Sequence, residues 1–300
     1  MKTIDPHTIT APVLQRLLQG AVAPRPIALV SSVDLKGQHN LSPFSFFNIF
    51  GINPTTLIFS PSRRGRDNTV KHTYENVKEV PEVVINMVTY AMVEQVNLSS
   101  TEYDKGINEF VKAGLTSLPS STVRPMRVKE SPFQMECIVR QVIETGDQGG
   151  AANLVVCELK MVHVNQAVLD EQGNVDPHKI DLVGRLGGDF YVRASGNALF
   201  RFAKPLEAKG IGVDNLPEEV RLSEVLTGND LGRLGNLASL PTAAELKTIR
   251  EAETYRELFN PAALEKSQTR LEVHQTARQL LTQGEVQKAL GLLCAFHNRH

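Results

Sequence analysis

Between residues 25 and 73 the chain gathers side chains suited to gripping a phosphate. Hydroxyls stand at Ser31, Ser32, Ser42, Ser45 and Ser60. The basic loop Ser62-Arg63-Arg64-Gly65-Arg66 follows, then Asn68, Thr69, Lys71 and Thr73. A phosphate needs donors converging from hydroxyls, backbone N–H groups and a cation, and a helix N-terminus adds favourable partial charge. Ser60, Arg66, Asn68, Thr69, Lys71 and Thr73 meet that need within one short segment. The same residues also read as a solvated basic loop entering a capped helix, which is the commoner outcome for such a pattern.

Phe44, Phe46, Phe47, Phe50 and Phe59 are dense for a chain with 6% aromatic residues. Alternation along one extended run puts Phe44 and Phe46 on one face, and Ser45 and Phe47 on the other. Most of these rings are expected in a barrel core. A flat ligand ring could instead rest against one of them and bond its peptide groups. The order of features suits a ligand with an aromatic ring system at one end and a phosphate at the other.

Other chemistries find less support. His163 lies inside a strand, where a lone histidine is more often structural or superficial than catalytic. No H-x-x-x-H or H-E-x-x-H accompanies it, so no metal site is expected. There is no G-x-S-x-G elbow and no Walker loop. Gly184-Arg185-Leu186-Gly187-Gly188 is not G-x-G-x-x-G and precedes a strand, which argues against a Rossmann site.

The elements that position these residues read as strands with short helices between them. A helix over 8–19 precedes strands at 27–33, 40–50 and 56–60. A helix over 69–80, capped by Asp67 or Asn68, leads to a strand at 82–88. Short helices over 90–102 and 108–114 follow. Two long β runs, 133–145 and 153–166, are joined by the hairpin signal Gly146-Asp147-Gln148-Gly149-Gly150. Further strands are read at 180–183 and 190–192. This is a closed or nearly closed antiparallel barrel rather than a doubly wound sheet. After residue 200 the pattern becomes amphipathic helices at 218–226, 243–259, 261–281 and 284–297, with Pro241-Thr242 and Asn260-Pro261 as helix starts. Basic and acidic side chains are equal in number there.

Three hundred residues suffice for one large domain or two smaller ones. A net charge of -1 with no same-sign block gives no footprint for nucleic acid. No window has the run of about 18 apolar residues expected of a membrane span. The first residues carry no basic region followed by an apolar stretch, so no signal peptide is expected. Cys137, Cys157 and Cys294, widely spaced, fit a reducing compartment, and the cytoplasm is the expected location.

Taken in order, the motifs resemble the flavin reductase-like family of FMN-binding split-barrel proteins, particularly its flavoredoxin-type branch. They are Arg25-Pro26-x-x-Leu29-Val30-Ser31-Ser32, Asn40-Leu41-Ser42-Pro43-Phe44-Ser45-Phe46-Phe47, Pro54 with Ile58-Phe59-Ser60, Lys71-His72-Thr73-x-x-Asn76, Asn86, and Gly184-Arg185-x-Gly187-Gly188-x-x-Tyr191. The resemblance covers roughly residues 10–195. It implies a mainly β, Greek-key split barrel with short flanking helices over 1–200, with 201–300 a helical extension that has no counterpart in the minimal family domain. It also implies a homodimer holding FMN near the subunit interface, FAD being possible, with NADH or NADPH as co-substrate. An electron-acceptor protein or monooxygenase component would be the partner.

By position, Asn40, Leu41, Ser42, Phe44 and Ser45 would border the isoalloxazine, with Phe59 on the neighbouring strand. Ser31, Ser60, Lys71 and Thr73 would hold the phosphate, helped by Arg66 and Thr69. His163 and Tyr191 are the candidates for lining the open face of the flavin. His72 stands where the family commonly has Asp, and no role follows for it. The implied chemistry, hydride transfer from nicotinamide to flavin, requires stacking, water exclusion and charge stabilisation rather than a catalytic triad. An FMN-binding electron carrier or sensor without nicotinamide turnover needs the same cradle and stays open as the alternative.

Overall fold

The computed structural model describes residues 1–202, 209–260 and 267–297. Met1–Phe200 forms one compact unit and Arg201–His300 another.

In the first unit, helix α1 (Ala11–Ala21) leads to β1 (Arg25–Pro26), β2 (Ala28–Val33), β3 (His39–Phe44), β4 (Phe47–Ile52) and β5 (Thr55–Phe59). Helix α2 (His72–Glu79), β6 (Glu82–Met87), α3 (Val93–Leu98) and α4 (Glu109–Ala113) follow. Then come β7 (Ser117–Leu118), β8 (Arg127–Val128), the long β9 (Phe133–Glu144) and β10 (Asn153–Val164), α5 (Pro177–Ile180), β11 (Val183–Arg185) and β12 (Tyr191–Arg193). Seven strands form one antiparallel sheet in the order β3-β2-β6-β9-β10-β5-β4. Its two edge strands, β3 and β4, are consecutive in sequence and separated only by Ser45-Phe46. The sheet therefore curls until its edges meet with no ladder between them, a barrel split along one seam. A smaller sheet, β1-β11-β12, stands beside it.

Apolar alternation accounts for the packing. Ala28 and Val30 of β2 face the barrel core with Phe44, Phe47, Phe59, Ile85, Cys137 and Val155. Ile27 and Leu29 face a second cluster with Leu41, Val96, Phe110 and Val128 under α3 and α4. Helix α4 starts at an Asn108 cap and stops at Gly114, whose φ of 64° suits the left-handed position that ends a helix.

Several sequence expectations need correction. The run 40–50 is two strands rather than one, so Phe44 and Phe47 are buried while Phe46 is 45% exposed. The bend at Ser45-Phe46 resets the pleat. The helix expected from Thr69 begins at His72 with Lys71 as its cap residue, because Asp67 accepts bonds from the Thr69 N–H and Oγ1 instead. Ile180 ends a helix rather than opening a strand, and Asp181 takes a left-handed φ of 51°.

In the second unit the helices are α6 (Glu218–Arg221), α7 (Gly228–Gly235), α8 (Ala243–Glu251), α9 (Ser267–Thr282) and α10 (Val286–His297). They pack around Val220, Leu234, Val273, Leu281 and Leu293. The expected helix at 218–226 stops after Arg221, and α7 was not anticipated. The expected helix at 243–259 ends at Glu251, where Ala252 turns extended. The expected start at Asn260-Pro261 runs outside the described residues. Among the described residues no helix is long and apolar enough to cross a membrane.

Asn86 stitches the barrel wall to β8. It is fully buried, donates to the Leu29 carbonyl at 3.0 Å and accepts the Val128 N–H at 3.0 Å. Asn86→Ala strands both backbone groups, and a buried unpaired group costs about 1–3 kcal/mol. The variant is expected to unfold at lower urea by that order of free energy; an unchanged midpoint would show that these bonds contribute nothing net.

Candidate functional site

The seam opens onto a cleft of about 590 Å³. One wall is the bend itself, Ser45 to Asn48, with Phe50. The other elements are residues 21–26 before and within β1, with Ile58, Ser60 and Leu154. Because β3 pairs only with β2, and β4 only with β5, the bend carries peptide groups that no neighbouring strand claims. One is satisfied locally: the Phe46 carbonyl accepts the Ser60 N–H at 2.9 Å. That bond ties the bend to the end of β5.

From Ser60 the chain enters the basic loop. Ser60 and Ser62 share a hydroxyl hydrogen bond at 3.1 Å. Arg64 closes the loop, its N–H donating to the Thr69 carbonyl at 2.8 Å and its Nη1 to Thr69 Oγ1 at 2.9 Å and the Val70 carbonyl at 2.5 Å. Glu102 holds Arg64 Nε at 3.0 Å and also bonds Arg66. Burial alone would raise Glu102, but Arg64 and then Arg66 outweigh it and hold the carboxyl below its usual range. Asp67 is pulled down to about 2 by the hydroxyl and N–H of Thr69, with Arg66 adding to this.

Lys71 differs from these paired groups. It is half-buried, and its pKa is lowered by burial first and by Arg64 next. No carboxylate pairs with it among the described residues. Four cations, Arg63, Arg64, Arg66 and Lys71, thus face two carboxylates, Asp67 and Glu102, and α2 begins beside them without a side-chain cap. Surplus positive charge beside a helix start with no side-chain cap is an arrangement that favours an anion.

The sequence-nominated residues divide into groups. Ser45 and Ser60 meet at the cleft; Arg66, Thr69 and Lys71 meet in the loop behind it. Asn40 and Thr73 bond one another, Nδ2 to Oγ1 at 2.9 Å, within a buried polar cluster completed by Ser32 and Asn76. That cluster fixes the first turn of α2 against β2 and β3. Leu41, Phe44 and Phe59 are core residues, with Phe44 and Phe59 rings 5.4 Å apart. Ser42 lies opposite Val30 on β2. Ser31 is fully buried on the other face of β2, beside Leu41, and its Oγ has no partner among the described residues. Ser62 and Arg64 were named within the basic loop but given no role of their own, and nothing local signalled Glu102.

His163 and Tyr191 stand away from this cleft. Tyr191 lies under the Arg185 guanidinium, 4.5 Å from its ring centre, and lines a separate cleft with Tyr90, Glu94 and Arg193. His163 donates its Nε2–H to Glu136 Oε1 at 2.7 Å, on the sheet face opposite the barrel core. Glu136 is fully buried and also accepts the Ser121 N–H and the Thr122 N–H and hydroxyl. Burial alone would raise Glu136, but these bonds outweigh it and hold it at about 2, below the ordinary 4.5. A carboxyl depressed on folding adds stability above its unfolded pKa and loses it as pH falls towards the folded value. The urea midpoint is therefore expected to drop between about pH 4.5 and 2, and Glu136→Gln to flatten that drop. An identical acid profile in the variant would mean that other carboxyls govern it.

Residues 21–178 match the flavin reductase like domain. An uncharacterised protein of Aquifex aeolicus (strain VF5) is 38% identical over 183 residues, 61% of this chain and 91% of that protein. Among solved structures, nitrilotriacetate monooxygenase component B from Bacillus cereus is similar at a TM-score of 0.62 and 27% identity, covering 68% of this chain and 98% of that one. Flavoredoxin of Desulfovibrio vulgaris (Miyazaki F) shares the fold at a TM-score of 0.53 and 21% identity, covering 69% and 98%. The domain match spans more than half of the 300 residues, and the chain belongs to the flavin reductase like domain family.

Proposed function

We propose that the protein is an FMN-dependent oxidoreductase of the flavin reductase type, using NADH or NADPH. The observation that carries this reading is the continuity of an aromatic-walled cleft, through Ser60, with a loop whose half-buried Lys71 forms no ion pair among the described residues. Its size lies in the range of small-molecule sites, and the donors fit a phosphate. A dianion beside Lys71 would offset the burial, and after it the repulsion from Arg64, that lower its pKa.

FMN, when bound, supplies a ring that accepts hydride and gives up electrons. The chain's own part is to hold and shield it. Ser60, Ser62, Lys71 and the open first turn of α2 take the phosphate. Peptide groups of the Ser45-Phe46 bend would bond a flat polar ring edge, and Phe46 and Phe50 would keep water from it. His163 and Tyr191, being apart from the cleft, have no part in this proposal.

A homodimer belongs to the same reading. Leu17, Leu18 and Val22 near α1, with Phe46, Ile49, Phe50 and Ile52 around β4, are all exposed, and a second copy laid there would cover them and close the cleft. The acceptor is proposed to be a separate oxygenase, since one similar structure is a monooxygenase component. The proposed location is the cytoplasm, where the free, buried cysteines fit.

Anaerobic addition of NADH or NADPH to the yellow holoprotein is expected to bleach its flavin absorbance within seconds; persistent colour with both would favour a carrier without nicotinamide turnover. Lys71→Ala is expected to weaken FMN binding by about 1.5–3 kcal/mol, the worth of one charge-assisted hydrogen bond. Isothermal titration checks this, and an unaltered affinity removes Lys71 from the site.

A further inference from the structure

The basic loop is held from outside by the tip of the β9–β10 hairpin. The Arg63 N–H donates to the Ala151 carbonyl at 2.9 Å, and the Gly150 N–H returns to the Arg63 carbonyl at 3.0 Å. Asn153, fully buried, donates Nδ2 to the Pro61 carbonyl at 3.0 Å. Asn68 joins the two segments. Its Nδ2 reaches the Asp147 carbonyl at 2.8 Å, while its Oδ1 accepts Arg63 Nε at 2.8 Å and its carbonyl accepts Arg63 Nη2 at 3.0 Å. It does so from a left-handed φ of 59°, which asparagine tolerates better than most residues.

Gly149 supplies the second constraint. A Cβ built there would lie 3.0 Å from the Arg64 carbonyl oxygen, 3.1 Å from that of Gly65 and 3.2 Å from Gly65 Cα. All three are backbone atoms, so no side chain can swing aside; the loop itself would have to move. Neighbouring Gly146 is different, since a Cβ there meets only the Ala151 Cβ at an ordinary 3.6 Å.

We propose that Asn68 and Gly149 are positioning residues for phosphate recognition: the hairpin tip templates the loop that receives the flavin's phosphate. This rests on the reading of Ser60 to Lys71 as the phosphate site. The mechanism is geometric. Donors aimed at one anion lose strength steeply when displaced, whereas the proposed ring contacts lie at the seam, on Ser45, Phe46 and Phe50, to which the hairpin tip makes no hydrogen bond among the described residues. Loss of the template should therefore cost FMN affinity and spare riboflavin, which shares the ring and lacks the phosphate.

The test titrates full-length apoprotein with FMN and with riboflavin by flavin fluorescence. Asn68→Gly keeps the left-handed backbone and removes the side-chain links; Gly149→Ala pushes on the loop; Gly146→Ala is the hairpin control. The first two are expected to weaken FMN roughly three- to tenfold, the worth of one or two polar contacts, with riboflavin unchanged and Gly146→Ala matching the parent. Equal losses for both flavins, or none for either, overturn the positioning role while a selective FMN loss in Lys71→Ala keeps the phosphate site standing. If Lys71→Ala also leaves the FMN-to-riboflavin ratio unchanged, the phosphate reading fails and the positioning role with it.

Discussion

Everything at the site follows from a change of hydrogen-bonding partner at Ser45-Phe46. Up to Phe44 the chain is bonded to β2; from Phe47 it is bonded to β5, at the opposite end of the seven-strand order. Two residues cannot continue both ladders, so the barrel stays open along that line. The Phe44 and Phe47 rings still turn inward, at 8% and 9% exposure, and keep the core filled across the gap. Phe46 and Phe50, at 45% and 65%, are left outside. An edge that would invite indiscriminate pairing is thus kept short and sharply bent, and its unclaimed peptide groups face a cleft.

What the sequence discloses here, and what it hides, divides by the range of the interaction. The β9–β10 hairpin was legible because both runs are rich in strand-forming residues and the glycine-rich tip is local, although the pairing carries two register shifts that the sequence did not disclose. Helix α4 was legible for the same reason, with Asn108 and Gly114 marking its ends. The Phe44–Phe47 register was not, since a strict period of two assigns Phe46 inward and only the ladder switch corrects it. Capping at Asp67 or Asn68 failed because both side chains are already engaged, one by Thr69 and the other by Arg63 and the hairpin. Helix α7 escaped notice because its several glycines disfavour a helix; the Thr227–Asp230 capping box that starts it was the available signal.

The candidate phosphate site was legible in its residue types more than in its geometry. Ser60, Arg66, Thr69 and Lys71 are where a pattern of hydroxyls and cations suggests, but they do not act alike. Arg66 and Thr69 are tied to Asp67 and Glu102, and Thr69 also to Arg64, so they shape the loop. Lys71 is left with unspent charge. Ser31, Asn40 and Thr73 look equivalent to Ser60 in a linear reading; all four are buried, but Ser60 lines the cleft while Asn40 and Thr73 bond each other instead.

That division is what the proposed phosphate site would require in order to hold an anion and still fold without one. Cations brought together with no compensation would repel and splay the loop, and cations each matched to a carboxylate would have nothing left to offer. Glu102 pairs with Arg64 and Arg66 and Asp67 with Arg66, and both carboxylates lie at the loop's exposed side. The buried cluster of Ser32, Asn40, Thr73 and Asn76 then anchors the start of α2 through neutral hydrogen bonds, which do not compete for charge. Lys71, the residue between those two regions, is held through its backbone carbonyl, which accepts the Tyr74 N–H at 2.9 Å, while its ammonium forms no ion pair among the described residues, beside a helix start that has no side-chain cap.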